Sequence, residues 1–199
     1  GSQIADYLIK PVRPNQVLLS IKKIIDNKRL VSEKTSVSYR QQFQQIMMEL
    51  NDDLDAEAWA ELYKKLIYWD LELDKSSNTD MLDVFEMQKV EANKEFYKYI
   101  QKNYTKWLQK PDAGTPAQSH TLIKKKVLPI LDNDVPTFFI LIDNLRYDHY
   151  KMLEPILKER FKKVSEDFFY SILPTTTQYS RNAIFSGLMP SEINKKYPD

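Results

Sequence analysis

Three glycines in 199 residues constrain this chain more than any other feature of its sequence. Glycine supplies the positive-φ positions on which tight turns depend. A chain this poor in it is expected to be dominated by helices. At 42% hydrophobic and 29% charged residues, it belongs with globular rather than disordered chains. A net charge of +1 gives no global attraction to nucleic acid or to an anionic membrane. The lack of cysteine excludes disulfides and thiolate metal sites, and only His120 and His149 offer imidazoles. No apolar run approaches the ~20 residues that span a bilayer, and no signal peptide is visible, so a cytoplasmic protein is the expectation. Gly1-Ser2 reads as a cloning remnant, and the natural chain is expected to extend upstream.

The N-terminal stretch Asp6-Tyr7-Leu8-Ile9 is a short strand candidate, ended by Lys10-Pro11 because proline lacks a donor and fixes φ. Pro14 suits the first turn of a helix. That helix carries Leu18, Ile21, Ile24 and Ile25 as one apolar stripe and is expected to run toward Lys34. Residues 36–110 read as a helical bundle. Tyr39, Phe43, Ile46, Met47 and Leu50 mark one helix; Trp59, Leu62, Leu66, Trp69 and Leu73 mark a second. The acids between Asn51 and Asp55 suit a cap. A third, long helix starts at Thr79 or Asp80 and turns Leu82, Phe85, Ala92, Phe96, Ile100, Tyr104 and Trp107 inward. Three antiparallel helices with short loops are the economical packing, and the aromatics read as ordinary core.

Pro111 to Pro116 is the sharpest boundary. Thr115 and Gln118 have capping-box spacing with Pro116 at the first helical position, which predicts a helix carrying Leu122, Ile123, Val127 and Leu128. Lys124, Lys125 and Lys126 read as its solvated face, with a phosphate-binding role as the lesser alternative. Phe138 to Ile142 is a continuous apolar run, as in strands buried on both faces of a parallel sheet. Residues 148–161 are expected to be helical, interrupted or restarted at Pro155. Phe168 to Leu173 is a second strand candidate, and Thr177 to Ser186 a helix closed by Gly187. Strand, helix, strand, helix implies right-handed crossovers in an α/β sheet. Two strands do not make a stable sheet alone, so a truncated domain is expected, with further strands in a longer parent.

Asp143 follows the apolar run, at the rim of the expected sheet. A carboxylate there needs a cation or donors. It is either a ligand for zinc or another divalent metal, or an N-cap for the segment from Asn144. Thr177 opens a helix, where the dipole favours anions. Its hydroxyl, if bound to a metal, can attack phosphorus; otherwise it is an N-cap.

The joint pattern resembles the alkaline phosphatase and nucleotide phosphodiesterase superfamily. The residues that carry the resemblance are Asp143, Pro174-Thr175-Thr176-Thr177, Ser186-Gly187 and Pro190. Asp143-Asn144-Leu145-Arg146-Tyr147-Asp148 with Thr177-Gln178-Tyr179-Ser180-Arg181 is similar to its PglZ branch. The resemblance implies that Asp143 is a zinc ligand of a two-zinc centre and Thr177 both ligand and nucleophile. Thr175 and Thr176 are the neighbours most easily confused with it. Arg181 is within a turn and could reach a phosphate, or be a surface arginine. Upstream, Ala5-Asp6-Tyr7-Leu8-Ile9-Lys10-Pro11 resembles the last strand and Lys-Pro turn of a response-regulator receiver domain. That match implies a phosphoryl-sensing role for Lys10.

Taken in order, the chain resembles the PorX-like response regulators of Bacteroidota. The expected fold is a helix-dominated α/β arrangement: the end of a receiver domain over 1–34, a three-helix bundle over 35–114, and the first part of an alkaline-phosphatase-like PglZ domain over 115–199. The resemblance implies a two-component system linked to type IX secretion, with a sensor histidine kinase as partner and a homodimer formed on phosphorylation. It implies a zinc-dependent phosphodiesterase acting on cyclic and linear oligonucleotides, with no membrane partner. The receiver's phosphoacceptor would lie upstream and the remaining zinc ligands downstream. His149 matches none of the family's histidine ligands, so this chain alone is expected to be inactive. The rival reading is a non-catalytic signalling module that dimerises, or that binds a partner or a nucleotide.

Overall fold

The computed structural model describes residues 7–8, 10, 12, 14–50, 53–76, 79–112, 114–131 and 134–198. Three long helices come first: α1 over Pro14–Leu50, α2 over Ala56–Ser76 and α3 over Thr79–Gln109. No glycine occurs between Gly1 and Gly114, and no proline between Pro14 and Pro111. Neither of the two strongest helix breakers is therefore available inside these helices. That is why α1 runs its 37 residues without a break near Lys34. The Asp55 carboxylate accepts from the Ala58 N–H at 2.8 Å and so caps the start of α2.

The described chain divides into two compact units, the first comprising Gly1–Leu54 and Glu61–Tyr99. Its core is built on Tyr39, Ile46, Leu50, Leu62, Leu66, Ile67, Trp69, Leu73, Phe85 and Ala92, all buried. The contacts fix the helix directions. Tyr39 meets Trp69 and Glu49 pairs with Lys65, so α1 and α2 are antiparallel. Tyr39 meets Phe85, and Gln88 reaches the Phe43 carbonyl, so α3 runs with α1. The result is up-down-up, as the short connections require. One polar tie lies within this core. The Tyr39 hydroxyl donates to Gln88 Oε1 at 3.0 Å, and Gln88 Nε2 donates to the Phe43 carbonyl at 3.1 Å. Burial pushes the Tyr39 phenol well above its ordinary range.

The first half of α1 departs from expectation. Leu18, Ile21 and Ile25 stay exposed instead of forming a buried stripe, because no described element covers that face. The short strand expected over Asp6 to Ile9 falls mostly outside the described residues. Lys10 is exposed at a bend.

The second unit comprises Asp55–Ala60 and Ile100–Asp199. It contains the first turn of α2, the end of α3, and three further helices: α4 over Tyr147–Lys158, α5 over Thr177–Ser186 and α6 over Pro190–Lys196. Trp59, Trp107, Ala117, Ile172, Ala183 and Ile184 are its buried apolar residues. Helices dominate, as expected, but the expected strands do not pair. Among the described residues the backbone pairing is a single parallel bridge between Gln118 and Tyr170. Phe138, Ile140 and Ile142 are exposed rather than buried. A strand is stabilised by its neighbours in a ladder, and this run has none among the described residues. The helix expected from Pro116 is also replaced. The Ala117 carbonyl accepts from the Tyr170 N–H at 2.8 Å, which holds the chain extended to Gln118. Short 3-10 and π turns follow, over Ser119–Thr121, Ile123–Val127 and Leu128–Ile130. Thr115 is tied to Asp112 instead of capping a helix.

Candidate functional site

The chain arrives at Asp143 along the exposed apolar run and turns at Asn144, whose φ of 60° lies in the left-handed region. Asparagine is one of the few residues that tolerate that conformation. The turn brings the Asn144 N–H to Asp143 Oδ1 at 3.0 Å. No helix begins there: α4 starts at Tyr147 with Arg146 as its N-cap. Asp143 is therefore not a helix cap.

Thr177 reaches the same carboxylate from the other direction. Leu173 to Thr176 form the approach to α5, with Leu173–Pro174 cis. Thr176 is the N-cap residue of α5; its carbonyl accepts from Tyr179 N at 3.0 Å and Ser180 N at 2.9 Å. Thr175 is exposed. Thr177 is the first helical residue, and its hydroxyl donates to Asp143 Oδ1 at 3.4 Å instead of capping the helix. Arg181, one turn along α5, places Nη1 4.0 Å from Asp143 Oδ2. Asp143, Thr177 and Arg181 thus converge, while Lys10 belongs to the other unit.

The spacing suits a shared cation. Two oxygens each about 2.1 Å from a tetrahedral zinc lie roughly 3.4 Å apart, the separation seen between Thr177 Oγ1 and Asp143 Oδ1. The pair fits two ligand positions. Among the described residues no group of three His, Cys, Asp or Glu side chains is placed to hold a metal. His120 Nδ1 is buried without a hydrogen-bond partner, and burial lowers its pKa. The His149 side chain is exposed.

Next to this group, three hydroxyls lock α5 in place. Ser180 Oγ is 2.9 Å from Ser119 Oγ and 2.9 Å from Ser171 Oγ, and Ser119 Oγ also accepts from Ile172 N at 3.1 Å. Sequence reading missed these serines, since isolated serines carry no pattern. It also missed the ion cluster on α4. Glu154 is contacted by Lys151 at 2.5 Å, Lys163 at 2.6 Å and Lys158 at 3.2 Å. Hydrogen bonds from Lys151 and Lys163 hold its carboxyl down to about 2. Glu166 accepts from the Tyr147 hydroxyl at 2.6 Å and from Lys163 at 2.9 Å. Beside the turn, Arg146 makes a two-pronged contact to Asp148 at 3.1 and 2.7 Å.

A three-helix linker of response-regulator type followed by an alkaline-phosphatase-like domain is the class that comparison with known families assigns. Residues 29–108 match the PorX response regulator linker domain, and residues 122–199 match the BREX system PglZ alkaline phosphatase-like domain. The chain is PorX-like and carries a PglZ domain. The linker match gives it a two-component context. No curated protein matches the chain. Among the described residues, no helix is long and apolar enough to cross a membrane.

Proposed function

We propose that this chain belongs to a cytoplasmic response regulator whose PglZ domain is a zinc-dependent phosphodiesterase acting on cyclic and linear oligonucleotides. The observation that supports it most is the convergence of Thr177 and Asp143 at the start of α5. Asp143 accepts the Thr177 hydroxyl proton in a hydrogen bond and so orients Oγ1. Zinc, when bound by Asp143 and Thr177 with ligands from elsewhere, lowers the pKa of the hydroxyl and offsets the charge that develops on the phosphoryl oxygens. Thr177 Oγ1 then forms a bond to phosphorus as its proton passes to solvent. The bond to the leaving oxygen breaks, and that oxygen takes up a proton. Water hydrolyses the resulting phospho-threonine and restores the hydroxyl. Arg181 and the positive end of α5 attract the phosphate.

On the signalling side, the proposal includes a sensor histidine kinase as partner, a homodimer on phosphorylation, Lys10 as the phosphoryl-sensing residue and a link to type IX secretion. The linker match supports this side. The test is hydrolysis of a short oligoribonucleotide by the full-length protein with zinc, wild type against Thr177→Ala. Cleavage by wild type alone supports the reading. A silent wild type removes it and leaves a non-catalytic module that binds a partner or nucleotide, whereas an equally active variant removes Thr177 as the nucleophile.

A further inference from the structure

The segment Tyr170–Leu173 ends four residues before Thr177, and residues of the linker helices hold it. Tyr104, on α3, uses its hydroxyl oxygen to accept from the Leu173 N–H at 2.7 Å. Trp107, three positions on and therefore on the same helix face, packs edge-on against the Tyr170 ring with centroids 5.1 Å apart. The Tyr170 hydroxyl also reaches the neighbouring helix, donating to the Ala56 carbonyl at the start of α2 at 2.9 Å. Ala56, Tyr104 and Trp107 all lie in the stretch that matches the PorX linker. Thr177 and Leu173 lie in the stretch that matches PglZ.

The backbone of this segment is held at successive points. Tyr170 N donates to the Ala117 carbonyl, Ile172 N to Ser119 Oγ and Leu173 N to Tyr104. Ser171 Oγ continues the tie into α5 through Ser180. Tyr104 thus supplies the last anchor before the Pro174-Thr175-Thr176 turn that delivers Thr177 to Asp143.

We propose that Tyr104 is a positioning residue that sets Thr177 against Asp143, and that Tyr104, Trp107 and Tyr170 together couple the linker helices to the reacting turn. The proposal rests on the reading of Thr177 as nucleophile. A shift of the end of α3 relative to the start of α2 moves Leu173, and with it the alignment of Thr177. Reaction rates are sensitive to such placement, where about 1 Å can change turnover by roughly a hundredfold.

The first readout is independent of activity. In the 199-residue chain, Tyr104→Phe is expected to speed amide exchange of Leu173, followed by NMR, about five- to tenfold, with the amides of residues 39–50 unchanged. In the full-length protein the same variant is expected to lower kcat about tenfold with KM unchanged, because binding groups are untouched. Tyr170→Phe, which removes the hydroxyl that ties to Ala56 and keeps the ring against Trp107, is expected to give the same local signature. Unchanged exchange and unchanged kcat in Tyr104→Phe would overturn the proposal. So would uniformly faster exchange in both variants, since the tyrosines would then be general stabilisers. If Thr177→Ala still hydrolyses the oligonucleotide while Tyr104→Phe loosens Leu173 alone, the nucleophile reading fails and the linker clasp stands.

Discussion

Thr177 Oγ1 stands 3.4 Å from Asp143 Oδ1 although 34 residues separate them in sequence. The separation is long for a hydroxyl–carboxylate hydrogen bond, which is strongest near 2.5–2.7 Å. Stability therefore gains little from it. Asp143→Asn and Thr177→Ala should each change unfolding free energy by less than about 0.5 kcal/mol. Each should nevertheless lower zinc-dependent kcat of the full-length protein by about a thousandfold or more, and the double variant should be scarcely worse than either single one. Retained turnover in either single variant would remove that residue from the chemistry. Arg181→Lys keeps the charge but loses the planar fork, so it should raise KM several-fold with a smaller effect on kcat.

The Tyr39–Gln88 pair behaves in the opposite way, contributing stability with no chemistry. Both side chains are fully buried, and Gln88 bridges the Tyr39 hydroxyl to the Phe43 carbonyl. Tyr39→Phe leaves Gln88 Oε1 without its donor, and Gln88→Leu leaves the Tyr39 hydroxyl without its acceptor, while the Phe43 carbonyl keeps its helical partner within α1. An unpaired buried polar group costs about 1–3 kcal/mol, so each variant should be destabilised by about that amount. Urea unfolding of the 199-residue chain measures both, and equal midpoints for wild type and Gln88→Leu would contradict the assignment.

These two pairs mark the limits of sequence reading. Helical spacing identified Trp59, Leu62, Leu66, Trp69 and Leu73 as inward, and all five are buried, because a 3.6-residue period records which face meets a neighbour. Gln88 sits on the buried face of α3 but is polar, so a hydrophobic pattern passes over it. The stripe Leu18, Ile21, Ile25 has the same period and is exposed. Periodicity shows that a face can be covered, not that something covers it. Phe138 to Ile142 fails as a buried strand for a related reason, since strand formation depends on a ladder partner distant in sequence. Asp143, Thr177 and Arg181 could be singled out through residue chemistry and motif order. Their convergence depends on the Asn144 turn and on the serine lock around Ser180, which no local pattern announces.

Gly187 closes α5 at φ +68°, and its N–H returns to the Ala183 carbonyl at 3.0 Å. A Cβ here would meet the His120 carbonyl at 3.7 Å, an ordinary contact. The cost of Gly187→Ala is therefore conformational, about 1 kcal/mol for holding alanine in the left-handed region. Gly187→Asn should recover part of that, because asparagine tolerates the region better. Urea midpoints in the order wild type, Asn, Ala are expected. An alanine variant as stable as wild type would show that the end of α5 relaxes out of this conformation.

Glu154 predicts an acid-sensitive step. Only 6% of the residue is exposed, and what covers the carboxylate includes three lysine side chains. Their hydrogen bonds bring its pKa to about 2, whereas an unfolded glutamate titrates near ~4.3. Glu166 moves the same way: burial pushes it up, but the Tyr147 hydroxyl and Lys163 outweigh that and hold it low. Between these limits the folded state binds fewer protons than the unfolded one, so stability rises with pH across the window. The contribution of Glu154 is complete above about pH 5 and disappears as pH falls toward 2. Thermal melts from pH 7 to 2 should show wild type losing Tm through this range. Glu154→Gln should start lower at pH 7, since it leaves three ammonium groups facing an uncharged amide. It should then fall less steeply, because the group that took up the proton is gone. Parallel curves for the two proteins would mean that the lysines stay solvated and that the cluster adds nothing to the fold.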